Sequence, residues 1–218
     1  AKYMWLPLNQ FFVASNMINI LSDFFSTGTY DARREFYKTN APAMDILVSS
    51  NLERLVWFMV NGDSEKVNKY MEELKETGVY KVDDETLARV QKEFKAGCLG
   101  EEDVLKVIHD CWNENKYLLD THTAVGYGVY EEYVKNTGDT TKTILLSTAS
   151  PYKFPESVYQ ALTGEEVDVY TAIEKLHDLT GMDISYPLKG IKDREILHKG
   201  VIDRDAILDT IADKIKEY

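Results

Sequence analysis

The sequence has few of the residues that build disulfide scaffolds, metal centres and basic surfaces. It contains 2 cysteines and 4 histidines, and 25 basic residues stand against 37 acidic ones, which gives a net charge of −12. Phosphate backbones and anionic lipids bind basic surfaces, so the charge argues against nucleic acid or an anionic membrane as the main partner. No apolar run approaches the ~18 residues that a transmembrane helix needs, and no secretory signal peptide is predicted.

The two cysteines, Cys98 and Cys111, lie in segments with helical apolar spacing and lack the close spacing of metal ligands. They are predicted to be reduced thiols of a cytoplasmic protein, with a single disulfide as the alternative. His109 has no second histidine nearby, so no metal site is expected. The apolar content of 44% is that of a globular protein with a sizeable core.

The most informative stretch is KTILLSTASPYKF at residues 142–154. Residues 143–147 are apolar or β-branched up to a final serine, and they predict a short strand buried on both faces. Ser147, Thr148 and Ser150 then lie at its carboxyl end, where ligands bind in open α/β sheets. The alternative is that these hydroxyls satisfy the backbone of a proline-closed turn.

A second strand-to-helix unit occurs near the start of the chain. Residues 11–14 are an apolar run typical of a central strand, and Ser15 or Asn16 can cap a following helix that ends at Gly28. Asn16 thereby falls at the carboxyl end of a predicted strand, where it either caps the helix or contacts a ligand.

A further helix is predicted to be capped by Ser50 or Asn51, with Glu53 and Arg54 near its first turn. Glu53 suits the positive end of a helix, whereas Arg54 does not unless an anion binds beside it. Arg54 is therefore a candidate anion ligand, with an ordinary surface ion pair as the alternative.

Residues 62–117 differ in character, because apolar stripes alternate with charged faces. They predict a helical insertion whose second helix runs from about residue 84 to Gly97. Beyond Gly164 the tail is predicted to be mostly helical, with one helix over residues 169–180 and a final one from about residue 203.

Asp120 or Thr121 is predicted to cap the helix in which Gly126 and Gly128 leave a thin surface. Since each helical glycine costs about 1 kcal/mol relative to alanine, close packing or a nearby ligand is expected to compensate. His122, at the helix start, is a candidate general base, with a bond to the backbone as the alternative.

Four stretches, in this order, resemble the threonine synthases of the bacterial and fungal type. They are FFVASNMINILSDFFSTGTYD, APAMDILVSSNLERL, YLLDTHTAVGYGVYEEY and ILLSTASPYKFPESV, and with their spacers they cover most of residues 1–160. The resemblance implies an α/β fold, namely the C-terminal portion of a fold-type-II pyridoxal-phosphate enzyme (tryptophan synthase β-like). It divides the chain into a partial catalytic domain over residues 1–164, with the helical insertion at 62–117, and a C-terminal extension over 165–218.

The activity that the resemblance implies is conversion of O-phospho-L-homoserine and water into L-threonine and phosphate, with pyridoxal 5′-phosphate as the electron sink. Thr148 matches the family's hydroxyl that faces the pyridine nitrogen of the cofactor. Asn16 matches an asparagine that follows a strand and lies near the cofactor. Both are therefore expected to be cofactor-binding residues.

The resemblance also implies substrate-binding residues. Ser50, Asn51 and Arg54 match a polar helix start that borders the active-site cleft, and Arg54 is expected to meet the anionic leaving group. His122 and Thr123 match an acidic-x-His-Thr helix start that faces the site.

Departures from the family pattern occur at Trp5, Ile18, Thr121 and Ser150, and they bear on substrate details. The family's Schiff-base lysine and phosphate loop lie upstream of Ala1, and no lysine of this chain stands in that motif. The resemblance therefore predicts no catalytic residue here and neither cofactor binding nor turnover by this chain alone. The missing N-terminal part of the same polypeptide is the expected partner.

Two other functions stay open: a different fold-type-II activity, such as threonine dehydratase, and a non-catalytic scaffold with the same fold. A fragment cut through a sheet is expected to expose an apolar strand edge or face. Self-association is therefore predicted as well.

Overall fold

The computed structural model describes residues 4–217, which pack as two units, residues 4–183 and residues 184–217. The sequence AKYMWLP at residues 1–7 predicts the end of a helix, and residues 1–3 of that stretch lie outside the described residues. The division of the catalytic part from its extension at residue 164 stays a prediction.

The first unit consists of helices around two short sheets. Its helices are α1 (Ile20–Thr27), α2 (Leu52–Met59), α3 (Ser64–Thr77), α4 (Asp84–Glu93), α5 (Glu101–Asn115), α6 (Thr121–Thr137), α7 (Pro155–Thr163) and α8 (Val169–Thr180). Its strands are β1 (Phe11–Ser15), β2 (Thr29–Asp31), β3 (Val79–Lys81) and β4 (Phe94–Cys98). Helices α3, α4, α6 and α8 each begin after an aspartate whose side chain accepts a backbone N–H of the first turn.

β1 and β4 form a parallel pair, in register from Phe11 opposite Phe94 to Ser15 opposite Cys98. β2 and β3 form a separate antiparallel pair. Parallel strands need a long crossover connection, and α1 to α4 supply it here. The in-register pairing places the carboxyl ends of β1 and β4 side by side.

The core of the first unit is rich in aromatic rings. Phe24 and Tyr30 are 0% and 1% exposed. The ring of Tyr80 stacks between those of Tyr30 and Tyr70, with centroids 5.4 and 5.5 Å apart. Aromatic pairs add about 0.5–1.5 kcal/mol each beyond the apolar surface they bury, so this stack ties β2 and β3 firmly to α3.

Helix α6 packs on the parallel pair and runs antiparallel to its strands. Phe12, near the start of β1, packs its ring against Tyr133 in the last part of α6, with centroids 4.7 Å apart. Directly after β4, the side chain of Leu99 lies 2.7 Å from where a Cβ on Gly128 would be. The N-terminus of α6 is therefore near the carboxyl ends of both strands, and close packing explains Gly128.

The predicted helix from about residue 84 to Gly97 is wrong in its second part. α4 ends at Glu93, and the residues that follow form β4, so Cys98 lies in a strand. The helical apolar spacing is a local signal, and pairing with the distant β1 overrides it. Cys98 and Cys111 are both free thiols, and the disulfide alternative is not realised.

Residues 143–147 are not a buried strand, which corrects the prediction. They have no regular secondary structure and are exposed, with Ile144 at 82% and Leu146 at 77%. A strand must exchange backbone hydrogen bonds with a neighbour, and within residues 4–217 no strand pairs with this segment. Leu145 packs on α6, 3.1 Å from where a Cβ on Gly126 would lie.

Helix α1 begins later than the predicted caps Ser15 and Asn16. Its first residue is Ile20, and the preceding Asn19 has a left-handed backbone with φ of 43°. The carboxamide of Asn16 makes tertiary hydrogen bonds instead, so it does not cap the helix.

The second unit contains short 3-10 turns and helix α9 (Ile207–Lys216). Its Arg194 guanidinium donates to the backbone carbonyl of Lys189 at 2.9 Å. Along α9, Leu208 and Ile215 are 79% and 69% exposed. None of the helices between residues 4 and 217 combines the length and apolarity that crossing a membrane requires.

Candidate functional site

The carboxyl ends of β1 and β4, called the carboxyl edge below, meet several polar side chains. The backbone N–H of Leu99 donates to the carbonyl of Ser15 at 3.0 Å, which extends the pairing to the last residue of β1. Asn16 follows β1, and Glu101 opens α5 shortly after β4. Ligands of α/β proteins bind at such edges.

Asn16 is buried at the carboxyl edge, with 1% of its surface exposed. Its Nδ2 donates to Oγ1 of Thr39 at 2.9 Å and to Oδ1 of Asp45 at 2.7 Å. Its Oδ1 accepts the backbone N–H of Ile18 at 3.2 Å. Both amide hydrogens are used within the protein, so Asn16 anchors the segment that contains Thr39 and Asp45.

That segment, residues 39–45, is called the 39–45 loop. Within it, Asp45 accepts the backbone N–H and the hydroxyl of Thr39 at 3.0 and 2.7 Å. Oε2 of Glu101 accepts the backbone N–H of Asn40 at 2.6 Å. The loop is thereby joined to the end of β1 and to the start of α5.

Glu101 is electrostatically unusual at this edge. Its Oε1 is buried and has no hydrogen-bond partner in the described part of the chain. Burial raises the pKa of the Glu101 carboxyl; the hydrogen bond from Asn40 opposes that shift, and the charge of Asp45 adds to it. Glu101 therefore takes up a proton more readily than an exposed glutamate does.

Asp120 caps α6, as predicted. Its Oδ1 accepts the backbone N–H groups of His122 and Thr123 at 2.9 and 3.2 Å, and its Oδ2 accepts the Thr123 hydroxyl. Burial by itself raises the pKa of Asp120, but the hydrogen bonds from His122 and Thr123 together outweigh it, and the pKa lies below its ordinary value. The carboxylate form is thus stabilised by the helix start that it holds.

His122 is 7% exposed and binds the 39–45 loop. Its ring Nε2 accepts the backbone N–H of Ala43 at 3.0 Å. Because an acceptor nitrogen carries no hydrogen, the neutral ring is protonated on Nδ1. Nδ1 lies 3.4 Å from Oδ1 of Asp120, and the ring packs 5.0 Å from that of Phe154. The structure shows the backbone-bonded histidine, which was the alternative to a general base.

Thr123 connects α6 to the segment that precedes Thr148. Oγ1 of Thr123 lies 3.4 Å from Oγ of Ser147, and since the Thr123 hydrogen is donated to Asp120, the Ser147 hydroxyl is the donor of this bond. Thr148 is exposed, and within residues 4–217 its hydroxyl has no hydrogen-bond partner. It therefore stands next to the carboxyl edge with a donor that is available to a ligand.

A cleft of about 370 Å³ opens beside Thr123 and Ser147, and Cys111, Tyr127 and Leu145 contribute to its lining. Burial raises the pKa of Cys111. Burial, assisted by Glu131, raises the pKa of Tyr127 to about 12. Both side chains are neutral at pH 7, and the cleft has the size of a small-molecule site.

Ser50, Asn51 and Arg54 are exposed at the start of α2. Asn51 precedes the helix but does not cap it with its side chain; it accepts the Ser49 hydroxyl instead. Arg54 makes no ion pair within the described chain. The structure thus gathers the predicted residues of β1 and α6 at the carboxyl edge, whereas among residues 4–217 no hydrogen bond or ion pair joins that edge to Ser50, Asn51 or Arg54.

Sequence reasoning missed Thr39, Asp45 and Glu101. Their role arises from contacts between distant positions, such as Asn40 with Glu101 at a separation of 61 residues and Asn40 with Ser157 at 117. No local motif marks such contacts. The one usable signal was the second family-like stretch, APAMDILVSSNLERL, which begins inside the 39–45 loop.

These features define an α/β protein with a polar site at the carboxyl edge of parallel strands. A family model described as "Threonine synthase, C-terminal" matches residues 123–185, which begin in the first turn of α6. The chain is 36% identical over 178 residues to threonine synthase of Saccharomyces cerevisiae, a match covering 75% of this chain and 35% of that protein. It is 33% identical over 190 residues to threonine synthase-like 1 of Homo sapiens, covering 82% and 25%.

Solved structures agree with the sequence matches. The crystal structure of threonine synthase from yeast aligns with a TM-score of 0.83 at 30% identity, covering 100% of this chain and 44% of that one. PLP-bound threonine synthase from Brucella melitensis aligns with a TM-score of 0.69 at 32% identity, covering 88% and 41%.

The predicted fold is therefore confirmed as the C-terminal region of a fold-type-II protein. The chain belongs to the threonine synthase family and corresponds to the C-terminal part of its members. It spans 35% of the length of the yeast relative and 25% of the human one.

Proposed function

We propose that this chain is part of a threonine synthase, a pyridoxal-phosphate-dependent carbon–oxygen lyase acting on phosphates. The reaction takes O-phospho-L-homoserine and water to L-threonine and phosphate. One observation carries most weight. Asn16, His122 and Thr123 gather at the carboxyl edge of a fold shared with proteins named threonine synthase.

The proposed cofactor is pyridoxal 5′-phosphate, which is bound in the crystal structure of threonine synthase from Brucella melitensis. The residues present fit this group, because Thr148 has an exposed hydroxyl without a partner among residues 4–217 and a pyridine nitrogen accepts such a donor. When bound, the cofactor supplies an electron sink for carbanions next to the amino-bearing carbon of the substrate.

Thr148 is proposed to donate its hydroxyl to the ring nitrogen. A neutral hydroxyl does not force protonation of that nitrogen as a carboxylate would. Asn16 is proposed to act beside the cofactor chiefly through the 39–45 loop, since its amide hydrogens already bind Thr39 and Asp45.

The substrate is proposed to lie between the starts of α2 and α6. His122 and Thr123 border it, with His122 holding the 39–45 loop and the Thr123 hydroxyl holding Ser147, the neighbour of Thr148. At the start of α2, Ser50, Asn51 and Arg54 are proposed to receive the phosphate. Backbone N–H groups at a helix start and a guanidinium without an ion pair both favour an anion.

No catalytic residue is proposed from this chain, and the lysine that carries the cofactor is assigned to the remaining part of the polypeptide. The test is to mix the isolated chain with pyridoxal phosphate, reduce with borohydride and measure its mass. No covalent adduct is expected at stoichiometric cofactor. A single lysine modified in high yield would overturn the assignment.

The function itself is tested with the natural full-length protein. O-phospho-L-homoserine is expected to give L-threonine and inorganic phosphate, whereas L-threonine gives no 2-oxo acid. Thr148→Val is expected to lower kcat by about tenfold or more, while Thr143→Val, in the same exposed segment, leaves it unchanged.

Other outcomes point to the other functions. A 2-oxo acid and ammonia formed from L-threonine, without phosphate release from the phosphorylated substrate, would support a dehydratase. A folded protein loaded with cofactor that turns over neither compound would support a scaffold.

Self-association is proposed for the isolated chain. Ile144 and Leu146 expose their apolar side chains in a segment without a backbone partner in the described structure, and such segments pair with other chains. A cytoplasmic location is proposed as well, in keeping with the free thiols of Cys98 and Cys111.

A further inference from the structure

Residues 46–51 form the turn that leads into α2, and one buried hydroxyl anchors this turn. The Tyr30 hydroxyl donates to the backbone carbonyl of Leu47 at 3.1 Å and accepts the backbone N–H of Ser49 at 2.7 Å. Tyr30 is 1% exposed in the core. Its donor and its acceptor positions are thus both used on the residues directly before Ser50.

Other hydrogen bonds of this turn are local. In the described structure, Ile46 donates its backbone N–H to Met44, and Leu52 donates to the carbonyl of Ser49. The Ser49 hydroxyl donates to Asn51. Such short-range bonds shape the turn but do not fix it to the rest of the protein, so Tyr30 provides its polar connection to the core.

The ring of Tyr30 is itself held firmly. It stacks on Tyr80 with centroids 5.4 Å apart and an interplanar angle of 8°, and it meets the ring of Phe24 at 6.3 Å. Burial raises the pKa of Tyr30, while the Ser49 N–H and the charge of Arg34 lower it to a smaller extent. The phenol therefore keeps its hydrogen and donates to Leu47 at neutral pH.

We infer that Tyr30 is a positioning residue that fixes the start of α2 for the anionic group of the substrate. This inference rests on the proposed function, in which Ser50, Asn51 and Arg54 receive the phosphate. Without the Tyr30 hydroxyl the turn samples several positions, and binding an anion must first order it. The expected consequence is weaker binding rather than slower chemistry.

The test compares Tyr30→Phe with Tyr70→Phe in the natural full-length protein. Tyr70 belongs to the same aromatic stack and also loses one hydroxyl contact, a hydrogen bond of 3.0 Å to Asp83. Tyr30→Phe is expected to raise KM for O-phospho-L-homoserine, and Kd for inorganic phosphate, by about three- to tenfold, with kcat changed less than about twofold. Tyr70→Phe is expected to change none of these.

Amide hydrogen exchange gives a readout that is independent of activity. Exchange at Ser49 is expected to accelerate in Tyr30→Phe and to stay unchanged in Tyr70→Phe. In an Arg54→Ala background, the effect of Tyr30→Phe on phosphate binding is expected to shrink, since both changes act on one site.

Three results would overturn the inference: faster exchange at Ser49 with unchanged phosphate affinity, an equal rise of KM in Tyr70→Phe, or fully additive effects of Tyr30→Phe and Arg54→Ala. A wild-type protein that forms no threonine contradicts the proposed function instead. Phosphate affinity and Ser49 exchange would then still test whether Tyr30 positions an anion site.

Discussion

The backbone N–H of Ala43 donates a 3.0 Å hydrogen bond to Nε2 of His122, a residue 79 positions further along the chain. This contact joins the 39–45 loop to the start of α6. It also sets the tautomer of the imidazole, because Nδ1 then carries the hydrogen, 3.2 Å from Oγ1 of Thr121 and 3.4 Å from Oδ1 of Asp120. A histidine that resembles a general base in sequence is thus part of the framework of the site.

Replacing His122 by phenylalanine is expected to destabilise the protein by about 0.5–1.5 kcal/mol, because the exposed Ala43 loses the hydrogen bond that its N–H donates to the buried ring. Urea unfolding at pH 7 measures the change. His109→Phe is the control, since His109 is exposed on α5 and a surface change costs within about 0.5 kcal/mol. Equal losses for both variants would contradict the anchoring role.

The N-caps of α6 and α8 offer a matched pair. Asp120 and Asp168 each accept two backbone N–H groups and a threonine hydroxyl, but Asp120 is 1% exposed and Asp168 is hydrogen-bonded at the surface. Asp168→Ala is expected to cost about 1 kcal/mol and Asp120→Ala about 2–3 kcal/mol, because the latter leaves buried donors without a partner. If urea unfolding gives equal destabilisation for the two variants, burial of Asp120 does not increase the cost of losing the cap.

Acid is expected to remove the contribution that the Asp120 charge makes to the free energy of unfolding. The pKa of Asp120 lies below its ordinary value in the folded protein, so its contribution is complete above the unfolded pKa of about 3.9 and is lost as pH falls through the lower folded pKa. The stability difference between wild type and Asp120→Asn should therefore be constant from pH 7 to about pH 5 and shrink below about pH 4. A difference that grows in acid would contradict the sign of this shift.

Gly97 of β4 is expected to reject any larger residue. A Cβ there would lie 2.8 Å from Cγ1 of Val129 on α6, and overpacking of this kind costs about 1–3 kcal/mol. Gly97→Ala should destabilise the wild type and cost much less in a Val129→Ala background. Gly200→Ala, with nothing within 4 Å of its Cβ position, serves as the control. The absence of rescue by Val129→Ala would mean that the strand backbone itself requires glycine.

Self-association of the isolated chain is expected to depend on residues 144–146. Ile144→Ser combined with Leu146→Ser should shift sedimentation toward the monomer, because it removes the exposed apolar side chains. Val201→Ser is the control, since Val201 is 96% exposed but lies in the second unit. A wild-type chain that sediments as a monomer at high concentration would contradict the prediction.

Helix ends were the most predictable feature of the fold. The helix of residues 169–180 has the predicted bounds, and α3, from Ser64 to Thr77, likewise ends just before a glycine, Gly78. Both helices begin after an aspartate that caps the first turn and end at a glycine with a left-handed backbone. The bonds involved span a few residues and are therefore visible in the sequence.

Strand pairing was predicted less well. Phe94–Cys98 continues a helical apolar pattern yet forms β4, and residues 143–147 have the composition of a buried strand yet lie exposed. Whether a segment becomes a strand depends on a neighbour that can share its backbone hydrogen bonds, and that neighbour lies elsewhere in the chain.

By itself, the sequence determined helix ends that local caps define, such as those of α8, the α/β character and, through four ordered stretches, the family. Only the tertiary structure decided that Asn16 and His122 hold the 39–45 loop and that Tyr30 reaches the turn before α2. Caps join residues a few positions apart, whereas these contacts join residues 19 to 79 positions apart. Such pairs become neighbours only when the chain has folded, and one sequence carries no local mark of them.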